Sequence, residues 1–252
     1  MRQPNGQNFL VDTNIAHKIV ESSNIHKDDL VIEIGPGKAV LTEILKDYTN
    51  NLIAVDIDSN LSTALQQKYK HNRNIKIINK DFLKFDLPQQ KFKIVANLPY
   101  NVGTAIVQKI LPDKNFVYAV IMLQKDVINR LISKEGTKDY GYISLFRQYY
   151  SSAEFLFDVP PGCFKPKPKV MSAVAKFTNK LPQEPNLNFF PLIKHCFTMR
   201  RKTILNCLSI FLKIDKTKTT QILNDNNIDI MLRPDKLTLC QFIKLSEYLT
   251  DL

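Results

Sequence analysis

Along the first half of the chain, short apolar runs alternate with amphipathic stretches. Leu30-Val31-Ile32-Glu33-Ile34 reads as a strand buried on both faces, interrupted by a single acid. From Ala39 to Lys46, Val40, Leu41, Ile44 and Leu45 fall on one helical face. Leu52 to Ile57 predicts a second strand and Leu61 to Tyr69 a helix. Ile75 to Ile78, Phe92 to Ala96 and Tyr118 to Leu123 predict further strands, with helices over Gly103 to Leu111 and Asp126 to Ser133. Strands and helices alternating at this spacing predict an α/β fold: a parallel sheet with helices on both faces.

The pattern then changes. Ile143 to Phe157 and Val170 to Thr178 read as two long β segments on either side of a Pro-rich loop, Val159 to Pro168. Such a pair predicts antiparallel strands at the sheet edge. A boundary follows near Lys180-Leu181-Pro182-Gln183-Glu184-Pro185. Beyond it only helical patterns appear: Phe189 to Met199, Lys202 to Leu212, Lys216 to Asn224 and Thr238 to Leu249. The expected division is a main domain over 1–181 and a small all-α domain over 182–252.

Composition narrows the picture. The chain has 252 residues, 44% hydrophobic and 23% charged, which suits a folded protein. It contains no apolar run long enough for a transmembrane helix, and its start lacks the apolar core of a signal peptide. Its four cysteines show no CxxC pairing, and its four histidines show no metal-ligand spacing. Reduced thiols, no metal and a cytoplasmic location are expected. The formal net charge of +11 points to a polyanionic partner, although a chain rich in Lys, Asn and Ile carries such an excess for compositional reasons too. The excess is concentrated: residues 162–202 hold nine Lys or Arg and one acid.

Three strand ends carry candidate chemistry. Glu33-Ile34-Gly35-Pro36-Gly37 stands where the first strand meets a helix, and Gly35 and Gly37 permit a sharp turn and close approach of a ligand. A dinucleotide fingerprint needs a third small residue where Val40 stands. Asp56 ends the second strand, placed to accept hydrogen bonds from both hydroxyls of a ribose. Asp81 ends the third, placed to receive an adenine amino group with Phe82 beside the ring. Each acid alone also suits a turn or a helix cap. Together they predict an adenosine-containing cofactor without a 2′-phosphate.

Asn97-Leu98-Pro99-Tyr100 closes the fourth strand. An Asn carbonyl accepts from an exocyclic amine. Pro99 lacks an N–H and holds the chain out of regular structure, so that a main-chain carbonyl can face the pocket. Tyr100 offers a face to a base. Two acceptors on an exocyclic amine favour a pyramidal nitrogen with its lone pair aimed at a methyl donor.

Gly6-Gln7-Asn8-Phe9-Leu10, Glu33 to Gly37, Asp81, Asn97 to Tyr100 and Phe164-Lys165-Pro166-Lys167-Pro168-Lys169-Val170 together resemble the ribosomal RNA adenine dimethyltransferases. Tyr140 to Ser144, Val159-Pro160-Pro161, Ser172-Ala173-Val174, Arg200-Arg201-Lys202-Thr203 and Arg233-Pro234 are similar to the KsgA-type branch rather than the Erm-type. The resemblance runs from Gln7 to about Leu249. It implies a Rossmann-like class I methyltransferase sheet with antiparallel edge strands and a C-terminal helical domain. It also implies a monomer that uses S-adenosylmethionine to dimethylate two adjacent adenosines near the 3′ end of 16S rRNA in the small subunit.

By the same resemblance, Asn8, Leu10, Gly35, Gly37, Asp56, Asp81 and Phe82 contact the cofactor. Asn97 serves cofactor and target amine, Leu98 and Pro99 shape the catalytic segment, and Tyr100 and Phe164 sandwich the base. Lys165, Lys167, Lys169, Arg200, Arg201 and Lys202 are the expected RNA contacts. The family more often has His at the place of Asn8, Glu at that of Asp56 and an acid at that of Met171. The alternatives are an Erm-type enzyme acting on 23S rRNA, a non-catalytic assembly or RNA-binding factor on the same fold, and a mitochondrial transcription factor derived from the family. The intact Gly-Pro-Gly and Asn-Leu-Pro-Tyr segments argue against the second, and the lack of an Arg/Ser-rich leader against the third.

Overall fold

The computed structural model of the chain describes residues 8–249; Gly6 and Gln7 of the first motif lie outside them. Contacts group the residues up to Ile128 with Ser151–Asn179 into one unit, and Asn129–Tyr150 with the residues from Lys180 onward into a second.

The first unit is built on strands β2 (Leu30–Ile34), β3 (Asn51–Asp56), β4 (Ile75–Asn79), β5 (Phe92–Asn97), β6 (Phe116–Gln124), β7 (Ser151–Val159) and β9 (Ser172–Asn179). Their order in the sheet is β4-β3-β2-β5-β6-β9-β7. β2 runs parallel to both β3 and β5, which makes it the point where the strand order reverses. Open α/β sheets bind ligands beyond the carboxyl ends of the strands at such a point. β9 returns antiparallel to β6 and pairs with β7, as expected at the edge. A separate ribbon pairs β1 (Phe9–Leu10) with β8 (Phe164–Lys165), bringing Leu10 opposite Phe164.

Helices α1 (Thr13–Ser23), α2 (Thr42–Leu45), α3 (Ser59–Lys68) and α4 (Gly103–Ile110) connect this unit. Asp12 and Asp58 cap α1 and α3 by accepting the first free backbone N–H groups. The sequence pattern did not mark α1. It overextended the helix after Gly37: Ala39 has a φ of +67° and sits in a turn, and only Thr42–Leu45 is regular.

α5 (Lys125–Ile132) crosses the division between the units. The second unit holds α6 (Tyr142–Tyr150), α7 (Phe189–Thr198), α8 (Ile204–Leu212), α9 (Lys216–Asp225) and α10 (Leu239–Tyr248). Its core includes Tyr140, Leu145, Leu192, Ile193, Leu208, Leu223 and Phe242. α6 corrects the single long β segment expected over 143–157. Tyr142, Phe146, Tyr149 and Tyr150 have high strand propensity, but three- and four-residue spacing lets Phe146, Tyr149 and Tyr150 meet Phe190 of α7. Tertiary packing overrides propensity here.

Cys163, Cys196 and Cys207 are buried free thiols, and Cys240 is exposed. Among the described residues no helix is long and apolar enough to cross a membrane, and no cluster of three His, Cys, Asp or Glu is arranged to hold a metal.

Gly103 opens α4 directly behind the Asn97–Tyr100 segment. A Cβ there would lie 2.3 Å from a methyl carbon of Leu123, itself fully buried. Gly103→Ala is expected to cost roughly 1–3 kcal/mol by overpacking. Urea denaturation should show a lowered midpoint; an unchanged one would mean that Leu123 yields freely.

Candidate active site

A cavity of about 640 Å³ opens at the carboxyl ends of the central strands. Five segments line it: Asn8–Leu10, Glu33–Lys38, Val55–Ile57, Lys80–Leu83 and Asn97–Val102.

The turn after β2 is held at both ends. Gly35 N–H donates to Val55 O (2.9 Å), and Gly37 N–H donates to the Asp56 carboxylate (3.2 Å). Gly35 and Gly37 have φ of +67° and +55°, a region side chains disfavour. At Gly37 a Cβ would also sit 2.9 Å from the Phe9 ring. The turn and the N-terminal ribbon therefore approach as closely as only glycine allows.

Asp56 ends β3 as expected. One carboxylate oxygen accepts from Gly37 and the other from Asp58 N–H (2.9 Å). Burial raises its pKa, and these N–H groups oppose the rise. Asp56 lines the cavity, and each oxygen, engaged by one of these bonds, retains acceptor capacity. Asn79, at the end of β4, donates to Asp56 O (2.9 Å) and Ile57 O (3.2 Å), tying the two strand ends together.

Asp81 both lines the cavity and caps a short 3-10 turn, accepting from Leu83 N–H (2.9 Å) with one oxygen. Its other oxygen has no hydrogen-bond partner among the described residues. Phe82 lines the cavity, is largely buried and stacks on Phe85 with ring centroids 5.8 Å apart, so one face of its ring is taken.

Asn97 is the last residue of β5. Its side-chain amide lines the cavity and has no hydrogen-bond partner among the described residues. Leu98 N–H donates to Met122 O (3.1 Å), the last tie to β6 before Pro99 breaks the strand. Pro99 O accepts from Val102 and Gly103 N–H (3.3 and 3.0 Å), which starts α4. Tyr100 is half-buried, and its hydroxyl pairs with Ser172 Oγ (2.8 Å).

Asn8 and Leu10 line the cavity with the others. Phe164 does not. It is 4% exposed, packed in the core cluster that includes Leu10 and Cys163. Lys165, Lys167 and Lys169 are exposed in the first unit. In the second unit Arg201 and Lys202 are exposed, whereas Arg200 faces Asp235 (3.8 Å) and donates to Thr137 O (3.3 Å).

Glu33 joins the site beyond the residues expected from the motifs. It is fully buried, lines the cavity and accepts from the Thr42 hydroxyl (2.6 Å). Burial, with Asp56 adding to it and Thr42 opposing it, pushes its pKa up to about 8. The signal for it was an acid inside an otherwise apolar strand. Nothing local in Ser172-Ala173-Val174 marks Ser172 as the partner of a tyrosine 72 residues away.

The strand order and the antiparallel return of β9 and β7, with the cavity at the switch point, are those of a Rossmann-like class I methyltransferase. Comparison with known proteins narrows the class. A profile of the ribosomal RNA adenine dimethylase family matches residues 1–251. The ribosomal RNA small subunit methyltransferase A of Alkaliphilus oremlandii is 40% identical over 94% of this chain and 88% of its own length. The protein of that name from Francisella tularensis subsp. novicida is 38% identical over 97% and 96%. A dimethyladenosine transferase from Plasmodium falciparum shares the fold with a TM-score of 0.84, at 23% identity over 96% of this chain and 98% of its own. The 23S rRNA methyltransferase ErmE has a TM-score of 0.74, at 26% identity over 96% and 100%. The chain belongs to the ribosomal RNA adenine dimethylase family.

Glu33 keeps its proton in the folded chain to about pH 8, whereas an unfolded glutamate releases it near 4.5. Between those values the folded chain binds the extra proton, so stability falls as pH rises, by several kcal/mol in all. Glu33→Gln keeps the shape and an acceptor for Thr42 and should flatten this dependence. Denaturant unfolding from pH 5 to 8 tests it; a variant with the parental slope would contradict a neutral buried Glu33.

Proposed function

We propose that the chain transfers methyl groups from S-adenosylmethionine to the N6 amino groups of two adjacent adenosines near the 3′ end of 16S rRNA in the small ribosomal subunit. The observation that carries this reading is the Asn97 amide, without a protein partner among the described residues, next to Tyr100 in a cavity that Asp56 and Asp81 also line. Family membership and the small-subunit relatives support it.

The residues present fit the cofactor. The Gly35–Gly37 turn leaves room for close backbone approach, Asp56 keeps acceptor positions for two ribose hydroxyls, and Asp81 keeps one oxygen for an adenine amine. When bound, S-adenosylmethionine supplies a methyl group on a cationic sulfur. Asp56 is shorter than the glutamate common in the family; its bonds to Gly37 and Asp58 fix the carboxylate, which offsets the shorter reach.

The Asn97 amide oxygen accepts from the target amine and restrains it with its lone pair toward the methyl group, so positioning rather than a strong base carries the step. A stacked base does not expose that amine, so the target nucleotide leaves its stack. Tyr100 supplies one face for it. Phe164 takes the other only when its ring leaves the cluster beneath β1, so base capture involves movement of the loop that begins there. The exposed Lys165, Lys167 and Lys169 on that loop meet phosphates, as do Arg201 and Lys202 in the second unit. Arg200, held by Asp235, contributes less.

A second reading, transfer to large-subunit RNA, draws on the likeness to ErmE. The small-subunit relatives share more of the sequence over a similar share of the chain.

Asn97→Ala should lower methyl transfer to under-methylated small subunits by at least about a thousandfold. RNA binding should stay within a few fold. Filter binding beside a methyl-incorporation assay tests this, and retained transfer would contradict the role assigned to Asn97.

A further inference from the structure

Tyr100 sits in a turn between β5 and α4, outside regular structure, yet its ring must present a fixed face if it is to stack a base. Among the described residues its hydroxyl has one hydrogen-bond partner, Ser172 Oγ at 2.8 Å. Ser172 is fully buried and is the first residue of β9. There it pairs with Gln124 of β6 on one side and Val159 of β7 on the other. Its hydroxyl is therefore fixed by the sheet rather than by a loop.

We infer that Ser172 is a positioning residue that sets the plane of the Tyr100 ring for the incoming base. The inference rests on the methyl-transfer reading above and assigns the Tyr100 hydroxyl a different task from the one its place in the cavity first suggests. Engaged with Ser172, the hydroxyl does not read the target; Tyr100 recognises the base through its ring face alone. Burial also raises the Tyr100 pKa, so the hydroxyl stays protonated and available to this bond at neutral pH. Ser172 directly follows Lys169-Val170-Met171, so the ring is anchored to the strand that emerges from the basic Pro-rich loop.

Three variants, Ser172→Ala, Tyr100→Phe and the double substitution, test this in methyl transfer to under-methylated small subunits, with unfolding midpoints measured alongside. Each single variant should lower kcat about tenfold and leave the KM for S-adenosylmethionine within about twofold. The double variant should be no slower than the slower single one, because both changes remove the same bond. Multiplying effects would overturn the inference, since the hydroxyl would then act on the target independently of Ser172. Tyr100→Phe leaves Ser172 and the sheet intact, so parental turnover by that variant would overturn it even if Ser172→Ala fails to fold. Absence of transfer by the parental chain would instead defeat the methyl-transfer reading, and the inference with it.

Discussion

The ligand edge of the sheet depends on one contact, the hydrogen bond from the Gly37 backbone to the Asp56 carboxylate. It joins the turn after β2 to the end of β3 and turns two neighbouring strand ends into one rigid wall. The bond is possible because both glycines take positive φ and because no side chain separates the turn from Phe9. Asp56 is thereby oriented and its charged form favoured against the cost of burial, while burial keeps Glu33, beside it, uncharged. Two acids at the floor of a small cavity would otherwise repel each other and draw in water. The wall is polar toward the ligand and electrically quiet beneath it.

The opposite wall is made by ending a strand abruptly. β5 keeps its ladder with β6 as far as Leu98, and Pro99 then removes the donor that the next rung would need. The carbonyl of Pro99 starts α4, with Gly103 packed against Leu123 and no space for a larger residue. Asn97 is left at the break with an amide that the described protein does not satisfy. Among the described residues no buried side-chain polar atom lacks a partner, so this amide is open to the cavity, where a ligand's amine can take the place of water. The proposed methyl transfer uses that open acceptor to hold the target amine.

The parallel strands, the glycine turn and the acids at strand ends were legible because each depends on local pattern: apolar runs, two glycines, an acid after a strand. The same was true of Asn97-Leu98-Pro99-Tyr100, since proline after a buried strand constrains the backbone whatever surrounds it. α6 was not legible, because its aromatic run suits a strand or a helix and Phe190 in α7 decides between them. Nor was the burial of Phe164, which follows from the pairing of Phe9–Leu10 with a segment over 150 residues later. Glu33 and Ser172 were hidden for a related reason: burial and distant partners give them their roles. The charge excess over 162–202 spans segments of both units, so the linear count did not show that Arg200 is paired while Arg201 and Lys202 are exposed.

In the proposed function the Gly37–Asp56 wall holds the methyl donor, the break at Asn97 holds the amine, and the product lies on the small subunit. Mass spectrometry of the 3′-terminal fragment of 16S rRNA tests that most directly, after under-methylated small subunits are incubated with the protein and S-adenosylmethionine. The predicted result is a fragment carrying four added methyl groups, two on each of two adjacent adenosines. An unmodified fragment, with methyl groups appearing instead on large-subunit RNA, would contradict it.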